Sequence, residues 1–328
     1  MTLILGPSDV AAATNMPAMI DAIEAGLREQ AAGAVEMPPR MNLPTNRGFF
    51  RVMPAVMKQS GVMGLKIFNG SVEDGVRYVI AIYDEGSGAL LSLLDAAYLT
   101  GARTGATTGI ATRYQAREDA TTVGVIGSGL EARTNLAAVC AVRGIRSGRV
   151  FSPNPERREK FAREVSNTHE IDLRPAESAE AAVAAADIVI VATNTTGAPD
   201  PIAYRGAWME PSQHVNSIGS TGGHLREIDT ETFSRADRIA VDSQVQVEGE
   251  SGDVLDAIAA GTWDAAKVTE LTDMISGAPG RGAREEITLF KSVGTAVQDV
   301  MSGYAVYQEA KRLGLGREVG DFLEHKHF

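Results

Sequence analysis

The sequence predicts an α/β protein of two lobes, a doubly wound parallel sheet in the second part of the chain and a smaller α+β lobe in the first. Three observations carry this expectation. From residue 121 onward, short apolar runs alternate with amphipathic segments at helical spacing, the signature of a parallel sheet covered on both faces. Between residues 49 and 96, strand-like runs follow one another across glycine-rich breaks. The length of 328 residues is more than one hydrophobic core usually serves.

In chain order, residues 8–33 read as helices, with Ser8 and Asn15 as N-caps and Met19, Ile20, Ile23 and Leu27 spaced to line one face. FFRVMPAVM, GVMGLKIF, RYVIAIYD and GALLSLLD read as strands, the last two joined by DEGSG as a hairpin turn. A helix from Ala97 to Gln115 precedes REDA, a polar joint. The first lobe is therefore expected over residues 1–117, completed by a C-terminal helix over 300–328, and the second over 118–299. In that second lobe TTVGVI, GRVFS, AADIVIVAT, QHVNSIG and ADRIAVDS read as strands, with LEARTNLAAVCAVRG and PERREKFAREVSN as helices between the first three. After ITLFKS, the segment VGTAVQDVMSGYAVYQEAKRLG is helical and is expected to cross back to the first lobe.

Composition narrows the function. The chain is 44% hydrophobic and 22% charged, as ordinary soluble proteins are, and its formal charge of -11 with no basic run removes the electrostatic basis for binding nucleic acid or an anionic membrane. One cysteine, Cys140, forms no internal disulfide and lies in the apolar run LAAVCAVRG, where it reads as core. MTLILGPSDV lacks a basic leader and breaks at Pro7, and no apolar window is long enough for a membrane helix, so a cytoplasmic location is expected. No His, Cys and carboxylate spacing suggests a metal, and no GxSxG elbow suggests a serine nucleophile.

The stretch VGVIGSGLEA runs from a strand through a glycine turn into a helix. Gly127 would allow the sharp turn, Gly129 beside Ser128 would let a pyrophosphate approach the backbone, and Ala132 would allow helix and strand to pack closely; this is the Rossmann-type dinucleotide site. At the end of the next strand, where an Asp or Glu would hold the ribose of NAD, the chain has Ser152, followed by Asn154, Arg157 and Arg158. Neutral and cationic groups suit a 2′-phosphate, which places NADP ahead of NAD. The alternative is that RREK is a solvated helix face.

Three cations of the first lobe stand in unusual places: Lys66 inside the apolar strand GLKIFNG, Arg40 after two prolines in EMPPRMNLP, and Arg103 on a helix in RTGATTGIATRY. Each alone would read as surface. With RMNLP, GLKIFNG, LTGARTGATTGIA, GVIGSGLEAR, HVNSIGS followed by REID, and TLFKSVGTAVQD in this order, nearly the whole chain resembles the ornithine cyclodeaminase and mu-crystallin family. That family includes ornithine cyclodeaminase, archaeal-type alanine dehydrogenase, ketimine reductases and pyrroline-2-carboxylate reductases. The resemblance implies a substrate-binding and dimerising lobe packed on a dinucleotide domain, a homodimer, and a small carboxylate-bearing substrate held by Arg40, Lys66 and Arg103. A planar guanidinium grips a carboxylate through two hydrogen bonds while a lysine adds a point charge, so the residue types suit that task. On the cofactor side the resemblance implies Leu130 and Glu131 at the pyrophosphate turn, Ser152 at the ribose, Thr193 after the fourth strand, and the backbone from Val215 through Asn216, Ser217 and Ile218. Ser292 and Val293 are implied near the nicotinamide.

Two departures from the family pattern bear on the reaction. Where NADPH-using reductases of the family often carry Asn-Arg-Thr, this chain has Ser152, Pro153 and Asn154. Where cyclodeaminases carry a catalytic aspartate it has Thr221, whose hydroxyl is no general base near neutral pH. The expected reaction is thus NAD(P)H-dependent reduction of a small imino acid, a ketimine or a 2-oxo acid with an amine, or the reverse oxidation. Rival readings are a cyclodeaminase using NAD catalytically and a non-catalytic, mu-crystallin-type binding protein. Lys66 and His224 are the candidate proton donors; His214 reads as structural, and His169, His325 and His327 lie in polar stretches. Met53, Met57, Val62 and Met63 offer an apolar wall beside Lys66, although alternate strand residues face opposite ways.

Overall fold

The computed structural model describes residues 1–71, 75–320 and 323, and they form two units, Met1–Arg103 with Thr295–Phe328, and Thr104–Gly294. The first begins with β1 (Leu3–Leu5) and α1 (Pro7–Ala13). Proline has no N–H to forfeit at a helix start, and Asp9 Oδ2 accepts a hydrogen bond from the Gly6 N–H (2.9 Å), so the helix opens at Pro7 and the expected cap, Ser8, lies inside it. Asn15 does cap α2 (Met16–Ala31), its Oδ1 accepting from the Ala18 N–H (3.0 Å). There follow β2 (Val35–Glu36), β3 (Met41–Pro44), β4 (Phe49–Met57), β5 (Val62–Ser71), β6 (Gly75–Asp84) and β7 (Leu90–Asp95).

Strands β4 to β7 pair antiparallel in sequence order, and the register sets Met53, Lys66, Ile80 and Leu94 side by side across the sheet. Period-two alternation then sorts the side chains. Met53, Ala55, Met57, Val62, Phe68, Ile80 and Ile82 share the buried face with Lys66. Val52, Pro54, Val56, Met63, Leu65 and Ile67 lie on the opposite face and are half-buried. Met63 is thereby separated from the other three residues of the expected apolar wall. β7 leads into α3 (Ala97–Gln115), where the division between units falls after Arg103. Ala106, Thr107, Thr108, Ile110, Ala111 and Thr112 are fully buried, so the polar REDA joint lies inside the second unit and not at its edge.

The second unit continues with β8 (Thr122–Ile126), α4 (Leu130–Val142), β9 (Ser147–Phe151), α5 (Pro155–His169), β10 (Asp172–Pro175), α6 (Ala179–Val183), β11 (Ile188–Val191) and β12 (His214–Ser217). After these come α7 (Thr230–Arg235), β13 (Arg238–Val241), α8 (Gln244–Glu250), α9 (Gly252–Ala259), β14 (Val268–Glu270), α10 (Leu271–Ile275) and β15 (Thr288–Lys291). The strand order is β10-β9-β8-β11-β12-β15-β13-β14 and every pairing is parallel. Leu136, Val139, Phe161 and Val165 pack one face; Tyr204, Phe233, Val247 and Val254 pack the other. Chain order reverses between β8 and β11, so the carboxyl ends of these two strands flank the place where doubly wound sheets bind ligands.

The chain then returns to the first unit through α11 (Ala296–Leu313), which ends at Gly314 in the left-handed region (φ 68°). The helix expected over 300–328 is therefore shorter. Beyond it β16 (Arg317–Glu318) pairs antiparallel with β1, and the expected tail with His325 and His327 lies outside the described residues. Val297, Val300, Met301 and Val306 of α11 are buried, as are Met19, Ile20, Ile23 and Leu27 of α2. The two helices close up where Gly26 meets Met301; a β-carbon at Gly26 would stand 2.5 Å from Met301 Cγ.

Candidate active site

Alternation along β5 turns Lys66 inward, where it is 1% exposed. An ammonium taken out of water costs several kcal/mol unless it is paired. Its partner is Asp299 in the first turn of α11: Lys66 Nζ donates to Asp299 Oδ1 (2.6 Å). The same oxygen accepts from Arg103 Nε (2.9 Å), and Arg103 Nη1 donates to Gln298 Oε1 (3.0 Å). Burial pulls the Lys66 ammonium from 10.5 down to about 7; Asp299 opposes the shift, and the charges of Arg103 and Arg40 add to it. Arg40, half-buried just before β3, thus shares one electrostatic neighbourhood with Lys66 and Arg103. Among the described residues, Lys66, Arg103 and Arg40 share this neighbourhood with Asp299.

Asp299 and Gln298 join the candidate site although the sequence alone gives them no role. Their signal is a polar pair opening an otherwise apolar and small helix, AVQDVMSG. An aspartate in a first helical turn is also an ordinary helix start, which hid it.

In the second unit Gly127 has φ +121°, and a β-carbon on it would strike the carbonyl oxygen of Ala192. Gly129, at the N-cap of α4, has no atom within 4 Å of where a β-carbon would stand, so the helix start is open. Ser128 Oγ donates to Ser152 Oγ (2.9 Å), joining the ends of β8 and β9. Leu130 is 40% exposed beside them and Glu131 half-buried. An open helix N-terminus reached through side-chain-free backbone fits a dinucleotide pyrophosphate. Asn154 Oδ1 accepts from the Arg157 N–H (2.9 Å) and so caps α5, while the Arg157 side chain is exposed. The arginine that folds back is Arg158: it is buried over the Phe151 ring and donates to the Ser152 carbonyl (3.3 Å).

The remaining expected cofactor residues have other neighbours. Thr193 is half-buried after β11. Asn216 is buried in β12, donating to Thr112 Oγ1 (3.3 Å) and paired with His214 Nε2 (3.1 Å). Burial holds His214 down at about 3, hence neutral, in keeping with a structural role. Ser217 Oγ donates to Glu227 Oε1 (2.7 Å) and accepts from Lys291 Nζ (2.9 Å), with Ile218 buried next to it. Lys291 also donates to Asp253 Oδ2 (2.8 Å) and to the Gly219 carbonyl (2.8 Å). Burial, opposed by Lys291 and aided by Asp253, pushes the Glu227 carboxyl up to about 7. Ser292 Oγ donates to Asp242 Oδ2 (2.6 Å), which also accepts from the Gly294 N–H (2.6 Å), while the Val293 N–H reaches Asp242 Oδ1 (3.3 Å). Asp242 thus fixes the loop after β15.

His224 is exposed in the loop after β12, and among the described residues its imidazole has no hydrogen-bond partner; Thr221 is half-buried in the same loop. Cys140 is half-buried and its thiol is pushed up to about 11, which leaves it unreactive. Among the described residues no group of acidic, histidine or cysteine side chains could hold a metal ion, and no helix is long and apolar enough to cross a membrane.

Residues 1–313 match the pattern of the ornithine cyclodeaminase/mu-crystallin family. The alanine dehydrogenase of Archaeoglobus fulgidus is 32% identical over 98% of this chain and 99% of its own. The structure of Thermococcus litoralis Delta(1)-pyrroline-2-carboxylate reductase in complex with NADH and L-proline superposes with a TM-score of 0.91 at 34% identity, covering 97% of this chain and 100% of that one. An archaeal alanine dehydrogenase dimer with bound NAD gives 0.88 at 30% identity, covering 98% and 99%.

Proposed function

The chain belongs to the ornithine cyclodeaminase/mu-crystallin family, and from that premise we propose that it reduces a small imino acid to an amino acid, or runs the reverse oxidation. It is an NAD(P)-dependent oxidoreductase acting on CH–NH or CH–NH2 groups. The observation that carries the substrate class is the buried Lys66 with Arg103 and Arg40 in its field. Arg103 and Arg40 bind the substrate carboxylate, which fixes the direction in which the C=N bond points. Lys66 hands a proton to the nitrogen; its proton leaves near neutral pH, which suits a donor in one direction and an acceptor in the other. A reduced nicotinamide, when bound, supplies the hydride that the imine carbon receives, so one hydride and one proton convert C=N to CH–NH. His224 stands second as donor, because nothing fixes its ring.

Gly127, Ser128, Gly129 and the first turn of α4 would hold the pyrophosphate, and Ser152 the ribose. With no carboxylate from Ser152 to Pro155 and the exposed Arg157 in the first turn of α5, we assign NADP ahead of NAD. Thr221 argues against ornithine cyclisation, which needs a base there. The apolar outer face of the β4–β7 sheet supports a dimer of this chain. Steady-state assays with cyclic ketimine carboxylates, and with 2-oxo acids plus ammonia or methylamine, are expected to oxidise NADPH or NADH. No oxidation with any of them would remove the reading, and ammonia released from ornithine without net cofactor turnover would replace it.

A further inference from the structure

Asp299 is 0% exposed, yet both of its hydrogen bonds from cationic side chains arrive at one oxygen. Oδ2 is buried and, among the described residues, has no hydrogen-bond partner. A carboxylate serving only as a counter-charge gains most by spreading its partners over both oxygens. Here Lys66 and Arg103 are drawn together although their charges repel, and Gln298 holds the far end of the guanidinium.

We propose that Asp299 is a positioning residue, which keeps Lys66 in its ammonium form and pins Arg103 beside it, so that one cation meets the substrate nitrogen while the other meets its carboxylate. This rests on the reductase reading above. The groups facing Lys66 are Asp299 from α11, Arg103 from α3 and Arg40 from the segment before β3; its register partners on β4 and β6, Met53 and Ile80, are apolar. Among the described residues Asp299 is the anion of that set, and its loss removes the attraction that offsets desolvation and the two neighbouring cations.

The test compares Asp299→Asn and Asp299→Glu with the unaltered enzyme, measuring kcat/KM for imine reduction from about pH 5 to about pH 9. Dinucleotide affinity by fluorescence titration reports folding. In Asp299→Asn the pH above which reduction declines is expected to fall by about one unit or more, with a raised KM for the imino acid and activity largely recovered at low pH. Asp299→Glu is expected to restore most of the limb. A loss of equal size at every pH, with the limb unmoved, would make Asp299 a scaffold residue and overturn the proposal. If Asp299→Asn does not fold, Asp299→Ser takes its place: the same fall of the limb is expected, and a limb identical to that of the unaltered enzyme overturns the proposal. If the unaltered enzyme reduces no imine, the reductase reading fails separately. The carbon-13 NMR titration of the Lys66 side chain, assigned by Lys66→Met, then decides: a lower midpoint in Asp299→Asn supports the proposal and an unchanged one ends it.

Discussion

Gly127 lies against the carbonyl oxygen of Ala192 with no room for a β-carbon between them. Gly127→Ala must therefore move the β8–α4 turn away from β11 as well as hold alanine at φ +121°, a conformation that costs about 1–3 kcal/mol. Dinucleotide affinity, read by fluorescence titration, is expected to fall by more than about tenfold, with lowered thermal stability. Unchanged affinity would dissociate this turn from the cofactor.

If Lys66 is the proton donor proposed above, reduction needs its protonated amine, so kcat/KM is expected to fall as pH rises through about 7, and amino-acid oxidation to rise over the same interval. Arg103→Met removes a charge that holds the lysine down, so the reductive limb should move to higher pH, opposite to Asp299→Asn. Its kcat/KM is expected to drop by about 30-fold or more as the carboxylate loses a charged partner, with dinucleotide affinity nearly intact. Equal loss of both would refute the division of labour between Arg103 and the glycine turn.

Ser152→Asp puts a carboxylate where a 2′-phosphate would lie. Affinity for NADP is expected to fall about tenfold relative to NAD, measured as the ratio of the two dissociation constants. A ratio that does not change would mean that the end of β9 does not meet the ribose.

Glu227 links stability to pH. Its folded pKa, about 7, lies above the ordinary 4.5, so its contribution is fully present below about pH 4.5 and is lost as pH rises through about 7. Glu227→Gln leaves Lys291 paired with Asp253 and stays neutral throughout. Thermal scans should show a smaller decline in Tm from about pH 5 to about pH 8 in the variant than in the parent. Parallel declines would exclude Glu227 as the source.

Leu65 sits on the outer face of the β4–β7 sheet among Val52, Pro54, Val56 and Ile67. Leu65→Glu is expected to halve the sedimenting mass of the native protein while leaving its far-UV spectrum unchanged. A parent that already sediments as a single chain would remove the dimer.

The centre of the doubly wound sheet was legible because β8, β11 and β13 are short apolar runs, whereas the edge strands β10 (DLRP) and β14 (VTE) carry no such run and were not legible. Lys66 was legible as a cation in an apolar strand. Lys291 carries the same local signal in ITLFKS, yet it lies in a different setting, paired with Asp253 and near Glu227. What separates the two lysines is the company brought from distant parts of the chain, and no local spacing encodes that. Ser8 misled for a simpler reason: proline one residue earlier and aspartate one residue later already supplied a start. The chain also meets its unit boundary in mid-helix, where composition gives no break.

The second unit is one uninterrupted stretch, whereas the first is closed by α11 and β16, which follow it. On the ribosome the nucleotide fold has all its parts before the sheet of β4–β7 receives its covering helix. Until α11 emerges, Lys66 lacks Asp299 and the buried face of that sheet lacks one of the helices packed on it. Release of the last segment would complete the core of the first unit and join Asp299 to Lys66 and Arg103 in one event.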